Sequence, residues 1–297
     1  MTSCISIVTP SYNQGAFIER TIESVLRQGV AELEYTVVDG GSTDQTLEIL
    51  RRHQDRLCWT SERDRGHSDA INKGIARTEA PVIGWLNSDD IYYPNALTYV
   101  LDFLTKHPEV DVVYGDANHI DESDNVIEVY PTEAWDLERL KEICFISQPA
   151  AFLRRRVVEQ HGPLDLSVRY CTDYEYWFRL GLAGVQFAYL PQLLGGTRLH
   201  PGAATLARRV ACHAETNSIT RRHLGRTPDR WLFNYAHAVI DSWGLQRGRP
   251  STTLMLAVLS VYAAIRWNRA ISMTMLVTLK RWLVADTLAP LRRRLAG

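Results

Sequence analysis

Two adjacent carboxylates, Asp89 and Asp90, follow a nearly all-apolar stretch over residues 81–86. Such a stretch is typical of a strand buried on both faces, and acids at its end need positive charge nearby. A hard divalent cation would supply that charge and would also bind diphosphate oxygens. The alternative is an acidic pair that stabilises the dipole of a helix beginning near Pro94. Segment 87–90 alone leaves both interpretations open.

A second polar segment, Asp39-Gly40-Gly41-Ser42, follows a predicted strand over residues 34–39. Glycines after a strand let the backbone approach a ligand closely, and Asp39 could accept hydrogen bonds from a base or a ribose. The alternative is a tight turn in which Ser42 caps the next helix, with Gln45 completing a capping box. The turn lacks the GxGxxG spacing of a dinucleotide fold, which disfavours NAD.

Two further acids fall in the first turns of predicted helices. Asp69 and Lys73 are four residues apart on one helical face, so they form either an ordinary ion pair or a polar face toward nucleotide phosphates. Asp173 begins an aromatic-rich helix over residues 170–182, where apolar surroundings could raise its pKa toward that of a useful base. The alternative for Asp173 is stabilisation of the helix dipole.

Arg198 and His200 lie on one face of an alternating segment near residue 200. His200 could be a metal ligand or could contact a phosphate, and Arg198 could neutralise a pyrophosphate. A single histidine is more often structural than functional, so this pair also leaves both interpretations open.

The elements that must position these groups alternate between strands and helices. Such alternation predicts a parallel sheet flanked by helices, and ligands bind beyond the carboxyl ends of its strands. The polar segments gather at those ends. The predicted strands cover residues 5–9, 34–39, 57–61, 81–86, 110–114, 150–153 and 185–190, and the predicted helices cover 16–27, 42–50, 68–77, 95–106 and 170–182.

Composition excludes several classes of protein. The 297 residues are 45% hydrophobic and 23% charged, which indicates a globular protein. A net charge of −1 and a pI of about 6.8 disfavour nucleic acid as a partner. The N-terminus shows no secretory pattern. Five scattered cysteines without a CxxC pair indicate reduced cytosolic thiols: Cys4, Cys58, Cys144, Cys171 and Cys212.

The last ninety or so residues are predicted to be helical. Residues 251–265 form an apolar stretch between Arg249 and Arg266, which is shorter than the roughly 20 residues that span a bilayer. A second apolar segment, 270–291, is interrupted by Lys280 and Arg281. This region is predicted either to dock on a membrane as an interfacial helix or to pack on the domain or in a dimer interface.

The order of the motifs is more specific than any one of them. Between residues 3 and 205 the chain resembles the family 2 glycosyltransferases of GT-A fold. The segments that carry the resemblance are Thr9-Pro10-Ser11-Tyr12-Asn13, Val38-Asp39-Gly40-Gly41-Ser42-Thr43-Asp44, Ser68-Asp69-Ala70-Ile71-Asn72-Lys73-Gly74, Asn87-Ser88-Asp89-Asp90, Gln148-Pro149-Ala150-Ala151-Phe152, Thr172-Asp173-Tyr174-Glu175-Tyr176-Trp177 and Arg198-Leu199-His200.

The resemblance implies a role for each matching position. Asp89 and His200 would bind the metal, and Asp173 would be the catalytic base. Asn87 and Thr172 depart from the family pattern, which usually has acids at these two positions. The residues implied to bind the donor nucleotide are Thr9, Pro10, Tyr12, Asp39, Asp69, Lys73, Ser88, Asp90 and Arg198.

The resemblance implies an inverting, metal-dependent glycosyltransferase with Mn²⁺ or Mg²⁺. It would move a sugar from a nucleotide diphosphate to a hydroxyl of a glycan or lipid-linked acceptor, in cell-surface polysaccharide synthesis. The expected location is the cytoplasm, with the inner face of the plasma membrane as an alternative. Residues 1–205 would form the GT-A domain, a mostly parallel sheet flanked by helices, and residues 206–297 a helical extension.

Two other functions were weighed against transfer. A sugar nucleotidyltransferase commonly carries a basic residue in its N-terminal loop, whereas residues 10–15 contain none. A non-catalytic nucleotide-sugar-binding protein of the same fold is disfavoured by the joint presence of Asp89, Asp90, Asp173 and His200.

Overall fold

The computed structural model describes residues 5–295, with side chains described for all of these except 204 and 286–295. Cys4 therefore lies outside the described residues. The chain divides into two compact units, the first ending at Ala203 and the second beginning at Ala204.

The first unit is an α/β fold. Its nine described strands form one sheet and are β1 (Ile5–Ser11), β2 (Leu33–Asp39), β3 (Cys58–Ser61), β4 (Val82–Trp85), β5 (Ile91–Tyr92), β6 (Val112–Ile120), β7 (Val126–Val129), β8 (Ala151–Arg154) and β9 (Phe187–Arg198). Its helices are α1 (Ile18–Leu26), α2 (Thr46–Arg52), α3 (His67–Ala76), α4 (Ala96–Lys106), α5 (Leu137–Leu140), α6 (Arg155–His161) and α7 (Thr172–Leu182), with a 3₁₀ turn at Gln148–Ala150.

The sheet is mixed. Its strand order is β3-β2-β1-β4-β8-β6-β9-β5, and β7 pairs with β6. The first four strands run parallel. In the other half, β8 is antiparallel to both β4 and β6, while β9 is parallel to β6. The prediction of an α/β fold with flanking helices is confirmed, but the prediction of a mostly parallel sheet holds only for the first half.

Strand register in the parallel half aligns the polar strand ends. Ser11, the last residue of β1, is opposite Asp39 on β2, and Asp39 is opposite Ser61 on β3. The backbone N–H of Leu86 donates to Val8 on β1, so segment 87–90 leaves the sheet at the same edge. The predicted gathering of polar groups at strand ends is thus realised.

Close packing of α3 on the sheet directs the N-terminus of that helix toward this edge. Gly74 makes the close approach necessary, because a Cβ atom there would lie 2.3 Å from Cγ1 of Val8 and 3.3 Å from Cγ2 of Val38. Aromatic rings fill the space where α7 meets β4, and the rings of Trp85 and Trp177 stack with centroids 5.1 Å apart.

Two predicted helix caps are wrong. Helix α2 begins at Thr46 with Gln45 in the N-cap position, because the Ser42 hydroxyl donates to the Asp39 carboxylate instead. Helix α3 begins at His67, with Gly66 in the N-cap position, so Ser68 lies inside the helix and does not cap it; the predicted helix began at residue 68.

The second unit is helical. Buried Leu232, Ala263, Ala264 and Met275 form its own apolar core. Within residues 5–295, no helix combines the length and apolar content that crossing a bilayer requires. The helices of this unit are α8 (Ala204–Ala207), α9 (Arg209–Leu224), α10 (Asp229–Ser242), α11 (Pro250–Asn268) and α12 (Met273–Leu295).

The contact between α3 and β1 predicts the effect of Gly74→Ala. Alanine favours a helix by about 1 kcal/mol, but the overlap with Val8 should outweigh this gain and destabilise the protein by about 1–3 kcal/mol. Urea unfolding measures the difference. In a Val8→Ala background the cost of Gly74→Ala should shrink, and an unchanged cost would contradict the proposed clash.

Candidate active site

The Asp39 carboxylate is fully buried and holds the turn after β2. Its Oδ2 accepts hydrogen bonds from the Ser61 hydroxyl at 2.6 Å, from the Ser42 N–H at 2.8 Å and from the Gly41 N–H at 3.1 Å. Its Oδ1 accepts from the Ser42 hydroxyl at 2.5 Å. The tight-turn interpretation of Asp39 is therefore realised, while its contact with a nucleoside stays a prediction.

The turn after β1 is tied to the turn after β2. Asn13 has a positive φ of 53°, its N–H donates to the Ser42 hydroxyl at 2.7 Å, and its Oδ1 accepts from the Thr43 N–H at 2.8 Å. Among the described residues, the buried Ser11 hydroxyl has no hydrogen-bond partner.

The predicted donor residues of β1 differ in exposure. Thr9 is fully buried and its hydroxyl lies 3.2 Å from the Tyr35 hydroxyl. Pro10 is buried within the strand as well. Tyr12 is 62% exposed just after the strand, so its ring is the part of this segment that a ligand can reach.

Asp69 and Lys73 form the ion pair that their spacing allowed. Lys73 Nζ lies 3.3 Å from Asp69 Oδ2 and 3.4 Å from Glu62 Oε1. Arg65 donates to Asp69 from its guanidinium at 2.9 Å and from its backbone N–H at 3.1 Å. These bonds from Arg65 lower the pKa of the Asp69 carboxyl to about 2. Asp69 is thus a stable anion that positions two cations at the start of α3.

Segment 87–90 is a turn that hydrogen bonds from α1 hold in place. The buried Thr21 hydroxyl donates to the carbonyl oxygens of Ser88 at 3.0 Å and of Asp90 at 2.7 Å. Ser88 is itself buried. Asn87 Nδ2 donates to Asp90 Oδ2 at 3.1 Å, so Asn87, which replaces the usual acid, serves to fix the turn.

The other side of Asn87 contacts His67, a residue that sequence reasoning missed. His67 Nε2 lies 2.8 Å from Asn87 Oδ1, and His67 is exposed as the first residue of α3. The position after Gly66, directly before the Ser68-Asp69 motif, was the signal that could have identified it.

Asp89 and His200 meet although they are 111 residues apart in sequence. His200 Nε2 lies 3.0 Å from Asp89 Oδ2, with side-chain exposures of 9% and 19%. The His200 ring packs on Phe17 with centroids 4.7 Å apart. Adjacent ligands about 2.1 Å from an octahedral ion lie about 3.0 Å apart, so this oxygen and nitrogen fit two positions of one cation.

No group of three or more metal-binding side chains is found within the part of the chain that the structure describes. A nitrogen ligand beside a carboxylate suits Mn²⁺ better than the harder Mg²⁺.

Asp90 and Arg198 lie behind this pair. Asp90 Oδ1 accepts the backbone N–H of Arg198 at 2.8 Å. Burial, with the charge of Asp89, raises the pKa of the Asp90 carboxyl well above its usual range. The Arg198 side chain is also buried, and it donates to the Asp89 carbonyl at 2.6 Å and pairs with Asp124 at 2.5 Å. Both side chains are placed to hold the turn, and their contact with a donor stays a prediction.

Asp173 is brought to the same edge by a contact between two helices. The Thr172 hydroxyl of α7 lies 3.1 Å from the Ser68 hydroxyl of α3, and Asp173 follows it, partly buried. Burial raises the pKa of the Asp173 carboxyl, while a hydrogen bond from the Tyr174 N–H and the charge of nearby His67 act in the opposite direction.

Two other titratable groups face Asp173. Burial raises the pKa of the Cys144 thiol to about 12, and the charge of Asp173 adds to that rise. Burial, together with Cys144 and the charge of Asp173, also raises the pKa of the Tyr130 hydroxyl. Burial is thus the dominant influence on the pKa of the Asp173 carboxyl, and it raises that pKa.

Direct contacts link all of these groups along one edge of the sheet. Asp64 lies against Gly40, where an added Cβ would be 2.7 Å from Asp64 Oδ2, and it accepts the Gly66 N–H at 2.8 Å. His67 then continues this path to Asn87. These contacts therefore connect the turn after β2, the start of α3, segment 87–90, His200 and the start of α7.

Solved structures share this α/β fold. The structure of residues 1–349 of Staphylococcus aureus TarS in complex with UDP-GlcNAc aligns with a TM-score of 0.61 and 15% identity, covering 95% of this chain and 89% of that one. A mannosyltransferase from Pyrobaculum calidifontis, in complex with GDP-Man and Mn²⁺, aligns with a TM-score of 0.59 and 17% identity, covering 97% and 82%. The GT-A fold prediction is confirmed.

The family model "Glycosyl transferase family 2" matches residues 6–162, just over half of the chain, and the chain belongs to this family. An uncharacterized glycosyltransferase of Rickettsia typhi is 30% identical over 210 residues, which cover 68% of this chain and 65% of that protein. Chondroitin synthase of Escherichia coli is 30% identical over 217 residues, covering 72% and 31%. The chain thus spans just under two thirds of the length of the first curated relatives. The prediction of family and enzyme class is confirmed.

The low pKa of Asp69 predicts how Asp69→Asn alters stability. A carboxyl whose pKa is lowered by folding contributes stability at neutral pH and loses it as pH falls toward that lowered value. The wild type should be more stable than Asp69→Asn at pH 7, and the gap should shrink from about pH 5 toward about pH 2. Urea unfolding over this range measures the gap. Exposed Asp102 on α4 provides the control Asp102→Asn, and a gap independent of pH would contradict the prediction.

Proposed function

We propose that residues 1–205 catalyse transfer of a sugar from a nucleotide diphosphate to a hydroxyl of a glycan or lipid-linked acceptor, with inversion. Residues 206–297 form a helical extension in this proposal. The observation that carries it is the meeting of the Asp89–His200 pair and Asp173 at one edge, joined through Asn87 and His67. Relatives in complex with UDP-GlcNAc and GDP-Man support the donor class.

Asp173 is the proposed base. The acceptor oxygen forms a bond to the anomeric carbon as the bond from that carbon to the diphosphate breaks, and the hydroxyl proton passes to the Asp173 carboxylate. Burial makes this carboxylate a stronger base than an exposed aspartate. His67 contacts Asn87 and interacts electrostatically with Asp173, so in this proposal it links the base to the donor side of the site.

The donor side of the site carries the charge that a departing diphosphate requires. Asp89 and His200 would hold a divalent cation, Mn²⁺ by preference, and that cation would neutralise the diphosphate. Lys73, Arg65 and the backbone N–H groups at the start of α3 add positive potential. Exposed Tyr12 offers a ring for stacking with the base.

Thr9, Pro10, Asp39, Ser88, Asp90 and Arg198 shape the donor pocket in this proposal. Their side chains are buried, and those of Asp39, Asp90 and Arg198 are engaged by protein donors and acceptors. Such packing fixes the polar atoms and loops that meet the donor, which is how preorganised sites stabilise developing charge.

A thermal-shift series with UDP, GDP and dTDP, with and without Mn²⁺, tests the donor site. One diphosphate should stabilise the protein in a metal-dependent way. Asp89→Asn and His200→Gln should each weaken that metal-dependent binding roughly tenfold or more, because each removes one protein ligand. Asp102→Asn is the control. Unchanged metal-dependent binding by both variants would exclude the Asp89–His200 site.

Asp173→Asn tests the base. The variant should keep diphosphate affinity and lose roughly a hundredfold to ten-thousandfold in turnover, measured by release of nucleoside diphosphate in the presence of acceptor. Retained turnover would remove Asp173 from the proposed role.

The pH profile adds a readout that a structural role would not change. Because the base must be ionised, kcat/KM should fall as pH drops through the raised pKa of Asp173, above the usual aspartate value of about 3.9. His67→Gln removes the charge that holds this pKa down and should move the acidic limb to higher pH. If the acidic limb of the kcat/KM profile stays at the same pH in His67→Gln, the electrostatic interaction of His67 with Asp173 is contradicted.

A further inference from the structure

The hairpin of α11 and α12 presents an apolar stripe to solvent. On α11, four exposed apolar residues are Leu254, Val258, Tyr262 and Ile265, with exposures between 48% and 59%. Their spacing of three and four residues places them on one helical face. On α12, Met273, Leu276 and Val277 continue the pattern, with exposures of 73%, 45% and 46%. Contiguous exposed apolar surface of this kind is typical of an interaction site.

The stripe borders an apolar groove between the two helices. The groove has a volume of about 500 Å³, and its lining side chains come only from this hairpin. Seven of them are apolar, and the eighth is Lys280: the lining residues are Ala257, Val258, Val261, Leu276, Leu279, Lys280, Leu283 and Val284. The buried lining residues Ala257 and Leu279 also belong to the core of the second unit, whereas Val258, Leu276 and Val284 are exposed, so the groove has a buried floor and an exposed rim.

Charge in residues 249–285 of the hairpin has a single sign, and Asp286 follows this stretch. From residue 249 to residue 285 the sequence contains no aspartate or glutamate. It contains five cations, all exposed: Arg249, Arg266, Arg269, Lys280 and Arg281. Among the side chains that the structure describes, none of the five cations pairs with an acid, and Arg266 instead contacts Tyr262 and Trp267. This differs from the first unit, where exposed cations such as Arg27 and Arg52 pair with glutamates.

We infer that the hairpin of α11 and α12 docks on an anionic lipid surface, its apolar stripe entering the boundary between headgroups and acyl chains. Cations around an apolar helix face match negatively charged lipid headgroups, whereas a second copy of this hairpin would bring the same cations together. Neither helix crosses a bilayer on the criterion of length and apolar content, so the contact is interfacial. This inference does not depend on the proposed transfer reaction.

Co-sedimentation of the full chain with vesicles tests the inference. Vesicles of phosphatidylcholine alone are compared with vesicles that also contain phosphatidylglycerol, at low and high salt, without donor or acceptor. The chain should bind the anionic vesicles, bind neutral ones much more weakly, and dissociate as salt screens the charges. Absence of binding to anionic vesicles at low salt overturns the inference, and so does equal binding to both compositions.

Two variants separate the apolar and charged contributions. Val258→Glu with Val277→Glu should reduce binding at least tenfold, because two carboxylates enter the stripe. Its matched control is Val126→Glu with Val129→Glu on exposed β7, which should bind like the wild type. Lys280→Gln with Arg281→Gln should weaken binding to anionic vesicles about thirtyfold at low salt. Its matched control is Arg51→Gln with Arg52→Gln at the exposed end of α2.

Light scattering and activity distinguish the remaining outcomes. The lipid assignment would be overturned in favour of a second copy by two results together. The chain would form a dimer that Val258→Glu with Val277→Glu dissociates, and it would not bind vesicles. Circular dichroism checks folding, and if the glutamate variant is unfolded the Lys280–Arg281 variant still decides. Transfer to a water-soluble acceptor without vesicles tests the proposed function separately, so failure of one proposal leaves the other intact.

Discussion

The buried carboxylate of Asp90 joins the two halves of the sheet at the candidate site. It accepts the backbone N–H of Arg198, 108 residues later in the chain, and the Arg198 guanidinium returns a hydrogen bond to the carbonyl of Asp89. A buried carboxylate is costly unless donors surround it, so the two loops are stable only when they lie together. The contact between Asp89 and His200 is a consequence of this pairing, because Asp89 directly precedes Asp90 and His200 follows Arg198 by two residues.

The gathering of polar segments at one edge of the sheet could be predicted because polar residues begin where apolar strands end. The strand register aligns Ser11, Asp39 and Ser61, so the ends of β1, β2 and β3 lie side by side. The partner that each polar group takes was beyond the reach of the sequence. Ser42 had equal chemical reason to cap α2 or to bond Asp39, and only the position of the strand end decides between them. His67 was missed for a similar reason, because its partner Asn87 is 20 residues away.

The antiparallel half of the sheet shows a different limit. A short apolar strand has the same local pattern whichever direction its neighbours run, so strand–helix alternation predicted a parallel sheet throughout. β5 is two residues long and has too few residues to show any period. Yet β5 pairs with β9 at Gly195 and Gly196, and this pairing leads β9 to Arg198 beside Asp90. The part of the sheet that assembles the proposed metal pair was therefore the part that the sequence described least well.

Identical side chains acquire different chemistry in this site from their surroundings alone. Asp69 lies among Arg65 and Lys73 and is held as an anion, which suits the fixing of positive charge near a diphosphate. Asp173 interacts electrostatically with Tyr130 and Cys144, and its burial makes it more basic. Asp39 and Asp90 accept internal hydrogen bonds and hold loops in place. A site that both stabilises a leaving anion and accepts a proton needs carboxyl groups of unlike basicity. Asp69 on α3 and Asp173 on α7 have that difference, and the contact between Ser68 and Thr172 joins their two helices, so one edge of the sheet can serve both ends of the proposed reaction.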